Sequence, residues 1–330
     1  MTKERVLERL WKQTGESVSG GELARSLGLS RTAVWKAVQQ LRREGYIIEA
    51  LPGSGYRLLA GGGALSELAL RDHLRHRQLR LRVYPSIDST NSTLKRLAES
   101  GEPEGLALLA EEQTAGRGRM DRRFYSPAGG GLYLSLLLRP GLGAADATAL
   151  TACAAVAVAE AIEALTGRQT QIKWVNDVLV EGKKVCGILT EGAIDCETGR
   201  LLYAVVGIGI NISPPPGGFP PELRGIAGAL VDSGGEALRA PLAARVLDGL
   251  LDLYEALPER RCYAAYRERS CLLGREILIH NWNGPPVPAT ALDIGEDFSL
   301  IVRGEDGGIR ALRAGEVSVR TTSGQTPAPG

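Results

Sequence analysis

The chain has 330 residues, 44% of them hydrophobic and 23% charged, with a formal net charge of +1. That length suits two or three domains, and the composition sets aside a disordered, fibrous or membrane-embedded chain. Near-neutrality excludes a polyanion-binding surface over the whole molecule but not a local one, because residues 1–60 hold ten Lys/Arg against six Asp/Glu. The five cysteines, Cys153, Cys186, Cys196, Cys262 and Cys271, show neither CxxC spacing nor histidine-rich neighbours. Free thiols in a reducing compartment are expected. No apolar run follows Met1, so no export signal is expected and a cytoplasmic protein is.

In chain order, residues 3–13 place Val6, Leu7, Leu10 and Trp11 on one face of a helix. Residues 19–41 then read as a short helix, a turn at Gly28 and a second helix capped by Ser30. Leu23, Leu27, Leu29, Val34, Val38 and Leu41 would pack inward. Arg31, Thr32, Trp35, Lys36 and Gln39 would face outward, toward a DNA groove. A hairpin over 46–58 completes the pattern of a winged helix, with a small helical packing domain as the other reading. The glycines at 61–63 mark a linker.

A helix is expected over 65–77 and a strand over 79–84. Residues 86–92 (Ser-Ile-Asp-Ser-Thr-Asn-Ser) open another helix running to about Ser100. Their hydroxyls and amides suit helix capping, and equally the recognition of a ureido or amide ligand. Strands dominate from 106 to 211, interrupted by an alanine-rich helix over 147–167 that reads as buried rather than membrane-spanning. Five prolines between 213 and 221 mark an irregular excursion. Helices follow over 238–257 and 260–269. Short strands from 276 to 320 have the rhythm of a small SH3-like β-barrel. Residues 322–330 should be a disordered tail.

Three clusters carry the chemistry. The first runs from Gln113 to Arg123, where four arginines and two glycines occupy the eight residues 116–123. Guanidinium forks suit carboxylate and phosphate oxygens, and glycines admit close backbone approach. A solvated basic loop has the same composition. The second holds Lys173, Trp174, Asn176, Asp177, Lys184, Gly187 and Glu191, and the third is Gly207-Ile208-Gly209-Ile210-Asn211. Three scattered histidines, His73, His76 and His280, offer no Ser-His-Asp arrangement.

These clusters, in this order and spacing over residues 1–320, resemble the biotin–protein ligases, and with the N-terminal winged helix they resemble the bifunctional ligase and biotin-operon repressor type. The resemblance implies an α+β chain of three domains. These are a winged helix-turn-helix over 1–60, a mixed-sheet, class II synthetase-like ligase domain over 64–270, and an SH3-like barrel over 271–321. It implies biotin and ATP joined as biotinyl-5′-AMP, with Mg²⁺ on the nucleotide, and transfer to one lysine of a biotin carboxyl carrier protein. Operator DNA and a homodimer formed with bound adenylate are the further partners implied, and no membrane.

Carried onto this sequence, Ser89, Thr90, Asn91, Gln113, Arg117, Gly118, Arg119, Lys184, Gly187 and Gly209 would bind biotin. Arg119, Arg122, Phe124, Lys173, Asn176 and Asn211 would bind ATP. Lys184, Arg117, Arg119 and Asp177 would carry catalysis, Asp177 by orienting or deprotonating the acceptor lysine or by helping to hold Mg²⁺. A surface ion pair is the other reading of Lys173 and Asp177. Two positions depart from the family pattern: Val175 replaces a usual proline, and Phe124 replaces a tryptophan that covers adenine. A lipoate-type ligase and a non-catalytic ligand-sensing regulator are the alternatives.

Overall fold

The computed structural model describes residues 2–43, 46–59, 65–120, 122–143, 147–281, 285–313 and 317–321. The linker expected at 61–63 and the tail at 322–330 lie outside them. The first unit runs α1 (Thr2–Trp11), β1 (Ser17–Val18), α2 (Gly20–Leu27), α3 (Arg31–Arg43), β2 (Ile48–Leu51) and β3 (Gly55–Leu58). One apolar face from each helix meets in a core of its own, which includes Val6, Leu10, Leu23, Val34, Val38 and Leu41. Ser30 caps α3 by accepting the Ala33 N–H at 3.1 Å. Gly28 ends α2 in the left-handed region at φ 65°. The three strands pair in the order β1-β3-β2, so α3 is followed by a wing.

The central unit continues with α4 (Glu67–His73), β4 (Arg80–Tyr84), α5 (Thr90–Glu99), β5 (Leu106–Ala110), β6 (Gly131–Leu138) and α6 (Ala147–Thr166). After these come β7 (Gln171–Lys173), β8 (Asp177–Val180), β9 (Lys183–Ile194), β10 (Leu201–Asn211), α7 (Arg239–Glu255) and α8 (Cys262–Glu268). Helix α4 is shorter than its sequence pattern suggests. Asp248 on α7 accepts the backbone N–H groups of Arg75 (2.9 Å) and His76 (3.0 Å), which turns the chain out of the helix. Seven strands form one sheet, β4-β5-β6-β10-β9-β8-β7, with β4 parallel to β5 and the other neighbours antiparallel.

Alternate residues of these strands pack on opposite faces. Leu109, Leu136, Val206 and Ile208 join the core containing α6, while Leu108, Leu137 and Val205 pack with Leu94 and Ala98 of α5. Helix α6 is long and apolar enough to cross a membrane, but Val156, Val158 and Ile162 are fully buried in the core of the central unit.

The last strands are β11 (Glu276–Asn281), β12 (Val287–Ile294), β13 (Leu300–Gly304), β14 (Ile309–Leu312) and β15 (Val317–Thr321). They form an antiparallel sheet in the order β14-β13-β12-β11-β15. Among the described residues no ladder joins β14 to β15, so the sheet is open where a barrel was expected. Its core is continuous with that of the central unit. Phe298 is the joint: its ring meets Tyr263 and Tyr266 edge-on at 5.9 and 5.6 Å. Its carbonyl accepts Trp174 Nε1–H at 2.9 Å, and the Tyr266 hydroxyl donates to the Val175 carbonyl at 3.0 Å. The segment from Trp174 to Asp177, whose Trp174–Val175 peptide is cis, is thereby held from behind by the C-terminal sheet.

Candidate active site

Register places the floor of the site. Gly209 on β10 lies opposite Gly187 on β9, and Gly207 lies opposite Leu189, so a strip without side chains runs across two adjacent strands. Around it stand Ser89, Thr90 and Asn91 from the start of α5, and Gln113, Arg117, Gly118, Arg119 and Phe124 from the β5–β6 loop. Asn176 and Lys184 stand on the far side. Three clusters separated by up to about a hundred residues are thus brought to one cavity.

That cavity has a free volume of 50 Å³, room for a few waters. The reason is Phe124. A Cβ added to Gly209 would lie 2.4 Å from its ring, and one added to Gly187 would lie 3.0 Å from it. Phe124, expected as a cover over adenine, is instead seated on the glycine floor, edge-on to Tyr133 at 6.4 Å. A ligand larger than a few waters must displace this ring.

At the α5 end a hydrogen-bond chain fixes the polar wall. The Thr90 N–H donates to Gln113 Oε1 at 2.9 Å, Gln113 Nε2 to Ser126 Oγ at 3.0 Å, and Ser126 Oγ to the Phe124 carbonyl at 3.0 Å. Ser89 acts as the cap, accepting the Ser92 N–H at 3.3 Å. Asn91 differs from the expectation. Its amide nitrogen donates to the Leu189 carbonyl (3.1 Å) and to Glu191 (3.0 Å), which uses both of its protons. Its oxygen is 2.6 Å from Ser135 Oγ. A Cβ on Gly207 would lie 2.0 Å from that oxygen, so only glycine leaves room for Asn91. Asn91 therefore acts as a brace of the wall, with no amide proton left for a ligand.

The opposite side is cationic. Lys184 Nζ pairs with Asp177 Oδ1 at 2.6 Å, Asn176 Nδ2 donates to the same carboxylate oxygen at 3.1 Å, and Arg119 donates to Asn176 Oδ1 at 3.1 Å. Burial lowers the Arg119 guanidinium pKa below its ordinary value, and the nearby Asp177 charge opposes that effect. Arg117 pairs with Glu191 at 3.2 Å. The ion pair given as the other reading of Lys173 and Asp177 is made instead between Lys184 and Asp177. Lys173 faces Asp177 only in the β7–β8 backbone register.

Four other expected site residues do not line the cavity. Lys173 is absent from its lining, Asp177 meets it only through Lys184 and Asn176, and Arg122 is exposed on the loop. Asn211 ends β10, where its side chain donates to the Gly228 carbonyl at 3.1 Å. The backbone of 226–228 is stitched to both sides of Lys184, whose N–H donates to the Ile226 carbonyl (2.8 Å) and whose carbonyl accepts the Gly228 N–H (2.9 Å). Sequence patterns place Gly207 and Glu191 in the clusters without a specific role, and pass over Ser126, Ser135 and Lys95. Ser135 does carry a signal: it is a polar residue within the apolar run of β6, and it is fully buried.

Among the described residues no group of three or more His, Cys, Asp or Glu is placed to hold a metal ion. Asp177 is committed to Lys184 and Glu191 to Lys95 and Arg117, so these residues do not make a resident Mg²⁺ site. On α3 of the first unit, Arg31, Thr32, Trp35 and Lys36 are exposed, Trp35 by 52%, and Gln39 is half-buried.

Residues 83–211 match the biotin/lipoate A/B protein ligase family, and residues 2–57 match an HTH domain family. The chain is 43% identical over 240 residues to the bifunctional ligase/repressor BirA of Bacillus subtilis, covering 72% of this chain and 73% of that one. It is 38% identical over 200 residues to the protein of the same name from Escherichia coli, covering 60% of each. Among solved structures, the biotin protein ligase of Aquifex aeolicus in complex with biotin and ATP superposes with a TM-score of 0.59 at 29% identity. That alignment covers 74% of this chain and 99% of the other. With 43% identity to a relative covered over 73% of its length, and with both family matches, the chain belongs to the family of bifunctional BirA ligase/repressors.

Proposed function

We propose that this chain activates biotin with ATP and transfers it to a lysine of a biotin carboxyl carrier protein. The observation that carries this is the convergence of Lys184, Arg117 and Arg119 on one cavity with a hydrogen-bonding wall and a side-chain-free floor. Two anions, the biotin carboxylate and the ATP α-phosphate, must meet at near-attack distance, and fixed cations offset their repulsion. A carboxylate oxygen attacks the α-phosphorus, the bond to pyrophosphate breaks, and biotinyl-5′-AMP forms without an enzyme nucleophile. Thr90 and Gln113 offer the biotin head group polar contacts, and Gly187 and Gly209 admit it once Phe124 withdraws. Lys184 and Arg119 hold the carboxylate and phosphate, with Asn176 and Asn211 on the nucleotide side. Magnesium enters with the nucleotide phosphates.

In the second step the amine of the carrier lysine attacks the acyl carbon and AMP leaves. The free amine is scarce near neutral pH, since an unperturbed lysine has a pKa of about 10.4. Asp177, beside the activated acyl group, takes up or orients the proton. The first unit, residues 1–60, places Arg31, Thr32, Trp35 and Lys36 against operator DNA, with chains paired as a homodimer when adenylate is bound. Residues 64–270 form a class II synthetase-like ligase domain, and 271–321 an SH3-like module. The setting is the cytoplasm.

Incubation of the chain with ATP, a carrier protein and either acid tests the substrate. Biotin should support AMP release and lipoate should not. The reverse preference would assign the chain to the lipoate branch, and no turnover with either would leave a ligand-sensing regulator.

A further inference from the structure

Glu191, on β9, touches three elements of the site with one carboxylate. Its Oε1 accepts from Lys95 Nζ at 2.8 Å and from Arg117 at 3.2 Å, and its Oε2 accepts from Asn91 Nδ2 at 3.0 Å. Asn91 and Lys95 are one turn apart on α5, so both reach the carboxylate from the same helix face. Arg117 comes from the arginine loop.

A site that must gather two anions would ordinarily exclude a fixed negative charge. Here Lys95 and Arg117 outnumber it, so the trio retains one net positive charge. Burial pushes the Glu191 carboxyl up, but hydrogen bonds from Lys95 and Asn91 and the charges of Lys95 and Arg117 outweigh that and hold it below the usual carboxylate range. The carboxylate also decides which way the Asn91 amide points. With its nitrogen held by Glu191 and Leu189, its oxygen must face Ser135, 2.7 Å from Thr90 Oγ1 on the ligand wall.

We infer that Glu191 is the positioning residue of the biotin subsite, holding Arg117 and the start of α5 in the arrangement that receives the acid. This rests on the ligase reading above. Asn176 and Asn211, assigned to the nucleotide, bond elsewhere, to the Ile188 and Gly228 carbonyls, and that separation supplies a selective readout. A brace acting only on stability would weaken both ligands together. A positioning residue of the biotin subsite weakens one.

Calorimetric titration of the full chain with biotin, and separately with ATP, reads this out. Glu191→Gln should weaken biotin on the order of tenfold, the scale of one charge-assisted contact, and leave ATP within about twofold. Combined with Arg117→Ala, it should cost less than the sum of the two single changes, because both act on one contact. Unchanged biotin affinity, equal loss of both ligands, or strict additivity would each overturn the inference. If wild type itself bound no biotin, the ligase reading would fall and this inference with it. Should Glu191→Gln not fold, Lys95→Met reads the same carboxylate from its other side: a biotin-selective loss supports the role, and no loss or an equal loss of both ligands contradicts it.

Discussion

Lys184 Nζ lies 2.6 Å from Asp177 Oδ1, so the cation proposed to bring carboxylate and phosphate together is already paired. Both side chains are partly exposed, 30% and 24%, and a solvent-screened pair of this kind contributes little to stability. In the proposed chemistry an incoming anion competes with Asp177 for Lys184, which leaves Asp177 free to assist the transfer step. Asp177→Asn should therefore keep biotin-dependent pyrophosphate exchange within a few-fold. Transfer to the carrier should slow by about a hundredfold, the lower range for loss of general-base assistance. Parallel loss of both half-reactions would remove this role.

The arginine loop closes the cavity from the α5 side, with Arg119 bonded to Asn176 across it at 3.1 Å. A mixed anhydride needs such a cover against water. Arg119→Gly removes one clasp, and the adenylate should escape and label bystander lysines. Mass spectrometry of a mixture with an unrelated protein reads this directly. Labelling confined to the carrier would show that the loop does not retain the intermediate.

Phe298 is fully buried and lies outside the cavity lining. Its replacement by alanine leaves a hole between the C-terminal sheet and α8 and should destabilise the fold by about 3–5 kcal/mol. Because its carbonyl and ring hold Trp174 and Tyr266, the loss should also reach the turn carrying Asn176 and Asp177. Thermal unfolding and adenylate formation, measured together, should both decline. A normal unfolding midpoint would mean that the C-terminal sheet is only loosely joined.

On α3, Arg31 and Lys36 are exposed, and the local excess of positive charge is small. Few phosphate contacts per chain predict weak binding by one chain and a marked gain on pairing. The double change Arg31→Ala, Lys36→Ala should weaken operator binding and leave ligase turnover unchanged. It should also flatten the salt dependence, by about one unit of slope for each phosphate left without its cation. DNA titrations with and without biotin plus ATP check the coupling. Equal affinity in both would separate DNA binding from the adenylate.

Much of the fold is legible in the sequence because local patterns carry it. The apolar runs of β5, β6 and β10 and the alanine-rich α6 fold as their composition dictates, and the Gly-Arg-Gly-Arg loop does meet Lys184 and the strand glycines. What escapes a sequence reading depends on partners distant along the chain. Lys95 meets a carboxylate 96 residues away, and Asp248 ends α4 from 173 residues away. Cys153 and Cys262, whose spacing suggests nothing, bring their sulfurs within 2.9 Å. The seat of Phe124 is hidden because ring chemistry alone does not reveal that two facing glycines leave room for it. Asn91 fits a ligand-binding motif equally well as contact or brace, and only its filled hydrogen bonds decide.

Lys184 is the centre of the proposed chemistry, joining biotin to ATP without an enzyme nucleophile. Biotin-dependent exchange of labelled pyrophosphate into ATP tests this most directly, in wild type and in Lys184→Ala. Charge-assisted hydrogen bonds contribute about 1.5–3 kcal/mol each, so the variant should lose at least about tenfold and up to about a hundredfold in exchange for each such bond that Lys184 makes, with an unchanged unfolding midpoint. Wild-type exchange in Lys184→Ala, or exchange in wild type that does not require biotin, would contradict the account.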